Sequence, residues 1–176
     1  SACPVPLVLD ADGLNCIAEA PDILKKAASP VIITPHPGEM ARLLDTDTAT
    51  VQADRIDCAR SFARSHQVSV VLKGAGTVVA RPDGWIFVNH TGNPGMAAGG
   101  MGDVLTGMIA AWVCQGYDPG PAACLGVYLH GAAADIAARK TGGIGFLASE
   151  VAAAVPRALT ALGKKSRHHA SEHPLF

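Results

Sequence analysis

Short apolar runs alternate with stretches of helical periodicity through the first half of the chain. Residues 5–9 and 31–34 are largely apolar. The first run leads into Asp10-Ala11-Asp12-Gly13, the second into Pro35-His36-Pro37-Gly38-Glu39. Unalternating runs of this length read as strands buried on both faces. Between them residues 18–28 have helical composition, and residues 39–44 and 51–66 continue as helices. This order predicts parallel β-α-β units.

Residues 68–72 read as a third buried strand, opening into Lys73-Gly74-Ala75-Gly76-Thr77. Two β-rich runs, 78–80 and 85–89, flank Pro82-Asp83-Gly84, a turn sequence that marks a hairpin. Beyond Asp103 the period changes. Val104, Leu105, Met108, Ile109, Ala111 and Trp112 recur at helical spacing, and residues 121–140 and 149–162 supply two more helices. Residues 164–176 show no apolar periodicity and carry Lys164, Lys165, Arg167 and three histidines. The expected organisation is one domain over residues 1–163 and a flexible tail over 164–176. The first strand begins almost at residue 1, with nothing ahead of it to provide neighbouring strands. The residues are therefore expected to be the later part of a larger domain.

Composition narrows the function classes. The chain is 49% hydrophobic and 16% charged, with 14 Lys plus Arg against 15 Asp plus Glu and a net charge of −1. That balance supplies no diffuse positive field for nucleic acid or an anionic membrane, so any anion must be bound locally. No apolar run reaches the roughly 18 residues of a membrane span. The five cysteines, Cys3, Cys16, Cys58, Cys114 and Cys124, are odd in number and include no Cys-x-x-Cys pair. Neither a disulfide framework nor a zinc site is expected, and a reducing cytoplasm fits best.

The candidate chemistry lies in the loops. Four glycines, Gly95, Gly99, Gly100 and Gly102, fall within eight residues directly before an apolar helix. Glycines let backbone N–H groups turn toward a ligand, and a helix start adds unpaired donors and a positive dipole end, so Gly99, Gly100 and Gly102 predict an anion hole. Asp103 would repel phosphate as a simple ligand. It suits a base that takes the proton of an attacking hydroxyl, although an aspartate that caps the helix reads equally well. Lys73-Gly74-Ala75-Gly76-Thr77 lies at a strand end, where nucleotides meet parallel sheets. It lacks the Gly-Lys-Ser/Thr order of a Walker A loop, and a solvated lysine before a hairpin is the plainer reading. His36, stiffened by two prolines, reads as a ligand contact or as the cap of the next helix. Asp10, Asp12 and Asn15 read as a magnesium or hydroxyl site or as ordinary turn chemistry. His90, His130 and the cysteines read as structural or solvated, and Met108 and Trp112 as core.

Four segments stand in a distinctive order: Val8-Leu9-Asp10-Ala11-Asp12-Gly13-Leu14-Asn15, Thr34-Pro35-His36-Pro37-Gly38-Glu39, Val71-Leu72-Lys73-Gly74-Ala75-Gly76-Thr77, and Gly92-Asn93-Pro94-Gly95-Met96-Ala97-Ala98-Gly99-Gly100-Met101-Gly102-Asp103. Together they resemble the ADP/ATP-dependent NAD(P)H-hydrate dehydratase family, over nearly the whole chain to about residue 162. The resemblance implies a ribokinase-like three-layer α/β/α fold with a mostly parallel sheet, its amino-terminal part missing here. It implies repair of hydrated NADH and NADPH, in which phosphate from ADP or ATP, with magnesium, activates the ring hydroxyl before it departs. Asp103 would be the base and a hydrate contact, and His36 a second hydrate contact. Lys73, Gly74, Ala75, Gly76, Thr77 and Gly102 would line the nucleotide, and no protein metal ligand is assigned. A homotetramer and an upstream epimerase domain are further implications. Two rivals remain: another ribokinase-type kinase, for thiazole or hydroxymethylpyrimidine, and a nucleotide-binding fragment without catalysis.

Overall fold

The computed structural model describes residues 3–172. Its five strands form one mixed sheet in sequence order: β1 (Leu7–Leu9), β2 (Val31–Ile33), β3 (Ser69–Leu72), β4 (Val78–Ala80) and β5 (Ile86–Val88). The first three run parallel, with Leu9 opposite Ile33 and Ile33 opposite Val70. β4 and β5 add antiparallel, Val71 facing Val79 and Val79 facing Phe87. The hairpin expected at Pro82-Asp83-Gly84 is present, closed by the Arg81 N–H donating to the Trp85 carbonyl at 2.9 Å.

Strand periodicity divides the core into two faces. Leu7, Leu9, Ile33, Val70, Leu72, Val78 and Ala80 pack on one side with Leu14, Met40, Val51 and Phe62. These last come from α1 (Asp12–Ile17), α2 (Pro37–Leu43), α3 (Thr48–Ala53) and α4 (Arg55–His66). The alternate residues Val8, Ile32, Val71, Val79 and Phe87 meet Leu105, Ile109, Ala123 and Val127 on the other side. These belong to α5 (Met101–Cys114) and α6 (Pro119–Thr141). The final helix, α7 (Ala148–Glu172), packs outside α5 and α6 around Met101, Leu129, Phe146 and Val151. Met108 and Trp112 lie partly buried against that cluster, as expected of core positions. The result is the expected three-layer α/β/α arrangement.

Three elements differ from expectation. Residues 18–28, read as a helix, form a link and a 3-10 turn at Pro21–Lys26, and the α-helix of this stretch, α1, lies earlier. Pro21 sits where its missing N–H costs nothing, and Ala27 is already extended. The helix read over residues 51–66 is two helices. Asp54 leaves helical geometry at φ −145, ψ 75, and its carboxylate accepts the Asp57 N–H, capping α4 as Asp47 caps α3. Helical backbone also runs on through Glu172, into the stretch expected to be a flexible tail, and residues 173–176 lie outside the described residues.

Candidate functional site

The carboxyl ends of β1, β2 and β3 deliver three of the four singled-out segments to one edge of the sheet. Backbone bonds beyond the strands fix them side by side: Thr34 N–H donates to the Leu9 carbonyl at 3.0 Å, and Lys73 N–H to the Pro35 carbonyl at 2.8 Å. The fourth segment arrives as the start of α5, whose N-cap is Gly100 at φ 83, a left-handed conformation that suits glycine. No side chain caps this helix, so its first-turn amides remain available to an anion. This is the crevice outside strand ends where parallel sheets bind ligands.

Asp10 stands at the centre of the floor. Its Oδ1 accepts from the Lys73 ammonium at 2.6 Å and its Oδ2 from the Thr106 hydroxyl at 3.0 Å. Burial pushes the Asp10 carboxyl up, but the hydrogen bond and charge of Lys73, with help from Thr106 and the Ala11 N–H, outweigh it and hold the group below the usual carboxylate range. Ala11 adopts φ 49, ψ −118, a sparsely populated conformation for alanine that costs about 1–3 kcal/mol and is held by these contacts. Lys73 also lies 3.8 Å from Glu39 Oε2. A Cβ added to Gly102 would fall 3.3 Å from Asp10 Oδ2 and 3.4 Å from Lys73 Nζ. The start of α5 therefore rests directly against the ion pair.

His36 caps α2. Its Nδ1 accepts from the Gly38 and Glu39 N–H groups at 3.0 and 3.1 Å, while Glu39 Oε2 accepts the His36 N–H at 2.7 Å. With Nδ1 an acceptor, the neutral ring carries its proton on Nε2, which lies 3.4 Å from Glu39 Oε1. The half-exposed ring keeps a fixed direction at the crevice.

The loop after Lys73 is closed by Thr77, whose hydroxyl donates to the Gly74 carbonyl at 2.9 Å and faces the Gly74 N–H at 3.3 Å. Asp103 is exposed in the first turn of α5. Gly99 is exposed just before the cap, with nothing within 4 Å of an added Cβ.

The structure thus brings Asp10, His36, Glu39, Lys73 and Gly102 into one linked set, with Gly74 to Thr77 on one side and Asp103 on the other. Asp12 and Asn15 do not join it. Asn15 donates to Asp12 at 3.4 Å, away from the Lys73 pair. Among the described residues no three His, Cys, Asp or Glu side chains group as a metal cage. All five cysteines are free.

Sequence reasoning missed four supporting side chains. Thr106 and Glu39 hold the floor as described. Arg55 reaches from α4 to the carbonyls of Leu72 and Lys73 at 2.9 and 3.1 Å. Asp135 of α6 accepts from Gly92 N–H at 3.1 Å and Asn93 Nδ2 at 2.9 Å, anchoring the segment that leads to α5. Of these, Asp135 alone had a signal, as the one charged residue in the stretch 119–138.

Comparison with known proteins identifies the family. Residues 1–157 match the family model described as NAD(P)H-hydrate dehydratase. The chain is 52% identical over 155 residues to the bifunctional NAD(P)H-hydrate repair enzyme of Moorella thermoacetica, covering 88% of this chain and 29% of that protein. It is 47% identical over 152 residues to the ADP-dependent (S)-NAD(P)H-hydrate dehydratase of Neisseria meningitidis, covering 85% and 51%. Among solved structures, the ADP/ATP-dependent NAD(P)H-hydrate dehydratase of Bacillus subtilis, co-crystallized with ATP/Mg2+, superposes with a TM-score of 0.79 at 39% identity, covering 89% of this chain and 55% of that one. The chain spans about half or less of these relatives' lengths. By the match of its model over residues 1–157 and by these identities, the chain belongs to the NAD(P)H-hydrate dehydratase family.

Proposed function

We propose that the protein containing this chain is an ADP-dependent (S)-NAD(P)H-hydrate dehydratase, a hydro-lyase that restores hydrated NADH and NADPH. The observation that carries this reading is the uncapped start of α5 beside Lys73, a set of unpaired backbone donors with one exposed carboxylate, Asp103, in the same turn. The names of the similar proteins supply the substrate and the nucleotide.

Each residue then has a task. The first-turn amides of α5, around Gly100 and Gly102, receive the phosphoryl group that is transferred. Asp103 accepts the proton of the ring hydroxyl as its oxygen attacks the terminal phosphorus of ADP, whose bond to the bridging oxygen breaks and releases AMP; when phosphate later leaves, the C–O bond breaks and a proton on the neighbouring ring carbon passes to water, restoring the double bond. His36, held by its cap, orients the hydrate. Gly74, Ala75, Gly76 and Thr77 line the nucleotide. The Lys73 ammonium is already paired with Asp10 and close to Glu39, so it sets the floor under Gly102 more than it neutralises phosphate.

Magnesium fits this donor set without a protein cage. It keeps most of its waters and rides on nucleotide phosphates, with one or two carboxylates nearby. Asp103 is the exposed carboxylate in the same turn as the helix-start amides, and the ion would supply charge neutralisation at the phosphates. The reducing chemistry of five free cysteines suits a cytoplasmic setting.

Hydrated NADH and ADP supplied to the full-length protein should restore NADH absorbance, and Asp103→Asn should slow that recovery about a hundredfold or more while leaving nucleotide binding intact. Phosphorylation of a vitamin precursor with no return of NADH absorbance would reject the assignment.

A further inference from the structure

Arg55 is placed against the preference of its own helix. It occupies the first position of α4, where the positive dipole end disfavours a cation, and its Nε is buried with no acceptor among the described residues. Both features are unfavourable for α4, so what holds the side chain there lies elsewhere. The guanidinium bonds to three carbonyls of one loop: Leu72 and Lys73 through Nη2 at 2.9 and 3.1 Å, and Ala75 through Nη1 at 2.5 Å. The packing is tight enough that a Cβ at Gly74, which sits at φ +147, would lie 2.8 Å from Nη2.

Pinning a carbonyl fixes the opposite face of its peptide, because in a trans peptide the C=O and the next N–H point in opposite directions. No cis peptide is present among the described residues. The Leu72–Lys73 peptide turns its N–H onto the Pro35 carbonyl at 2.8 Å. The Lys73–Gly74 peptide turns its N–H to Thr77 Oγ1 at 3.3 Å. In the third peptide, Ala75–Gly76, the Gly76 N–H points away from Arg55 and meets no protein acceptor among the described residues. A flexible glycine pair would otherwise let this donor rotate freely.

We propose that Arg55 is a positioning residue of the nucleotide site: its guanidinium fork fixes the Lys73-to-Thr77 loop so that the Gly76 N–H faces a phosphate of the bound nucleoside diphosphate. The proposal rests on the dehydratase reading and adds to it a residue that touches neither nucleotide nor hydrate. A lysine keeps the charge but cannot bridge three carbonyls in one plane. Shape, not charge, is what the loop takes from Arg55.

The test uses the full-length protein with ADP as the probe, in wild type, Arg55→Lys and Arg55→Ala. Both variants should raise the Kd and KM for ADP about tenfold or more while kcat changes by less than about threefold and KM for hydrated NADH stays constant. Amide exchange at Lys73, whose N–H is bonded to the Pro35 carbonyl on a peptide that Arg55 holds, should accelerate in the absence of nucleotide, a readout that holds even if Arg55→Ala proves too unstable for kinetics and only Arg55→Lys is assayed. If Arg55→Lys binds ADP like wild type, or if Lys73 exchange is unchanged, the positioning role is wrong while the dehydratase reading stands. If wild type itself does not bind ADP, the dehydratase reading fails and the Arg55 role with it.

Discussion

At the residue scale the crevice is organised by one ion pair. Asp10 and Lys73 come from strands separated by β2, and neither was paired with the other by sequence spacing, because contacts across 63 residues leave no periodic trace. Asp10 was legible only as a polar residue at a strand end, and Lys73 only as a cation before glycines. Their closure against Gly102 explains why that position in α5 has no side chain. Asp10→Asn keeps the shape but removes the charge opposite a largely buried ammonium. We expect a loss of about 1–3 kcal/mol, below the range for fully buried pairs because Lys73 retains some exposure, read as a lower urea midpoint at neutral pH. The same pair makes a pH signature. Because the folded Asp10 pKa lies below its unfolded value, its stabilisation is present above the unfolded carboxylate range near pH 3.9 and disappears as pH falls through the lower folded value. An unchanged urea midpoint in Asp10→Asn would show that the pair contributes nothing to the fold.

Elements explain how loops are held at the right height. The segment before α5 lies on α6, where Gly131 allows the closest approach: a Cβ there would stand 2.3 Å from Thr91 Oγ1 and 2.6 Å from its backbone carbon. Thr91 completes the contact by donating to the Tyr128 carbonyl at 2.8 Å, and Asp135 holds Gly92 and Asn93 one turn further on. Backbone cannot retreat as a flexible side chain can. Gly131→Ala should therefore cost about 1–3 kcal/mol through overpacking. At about 2–4 °C per kcal/mol for a domain of this size, the loss is measurable as a lower Tm. It should also weaken nucleotide binding, since the lifted segment carries Gly100; an Ala variant with unchanged Tm would contradict this close approach. The elements themselves were largely legible. All five strands and the hairpin turn could be read from apolar runs and from Pro82-Asp83-Gly84. What escaped were breaks made by single capping side chains: Asp54 divides α3 from α4 within an unbroken helical pattern, and α1 begins inside Asp10-Ala11-Asp12-Gly13, which composition marks as a loop. Arg55 escaped for the same reason, since its role depends on where the broken helix restarts.

For the molecule as a whole, α6 places an ionisable group in the helical layers without a partner among the described residues. His130 is 6% exposed, its Nε2 has no hydrogen-bond partner among those residues, and burial lowers its pKa to about 4. A histidine kept neutral in the fold binds fewer protons than in the unfolded chain. Its effect is absent above the unfolded value near 6.5 and grows as pH falls toward 4. Over that window stability should drop by an amount on the order of 3 kcal/mol, and His130→Gln should flatten this part of the stability curve whatever it does at neutral pH. A wild-type curve that is flat from pH 6.5 to 4 would contradict this burial. No helix among the described residues is long and apolar enough to cross a membrane. The central claim concerns the crevice at the carboxyl ends of the parallel strands, and a crystal structure of the full-length protein with ADP and magnesium tests it most directly. The account expects nucleotide phosphate oxygens within hydrogen-bonding distance of the Gly76 N–H and the first-turn amides of α5, with the Asp103 carboxylate open toward the bound hydrate. Phosphates seated away from both the Lys73-to-Thr77 loop and the start of α5 would contradict it.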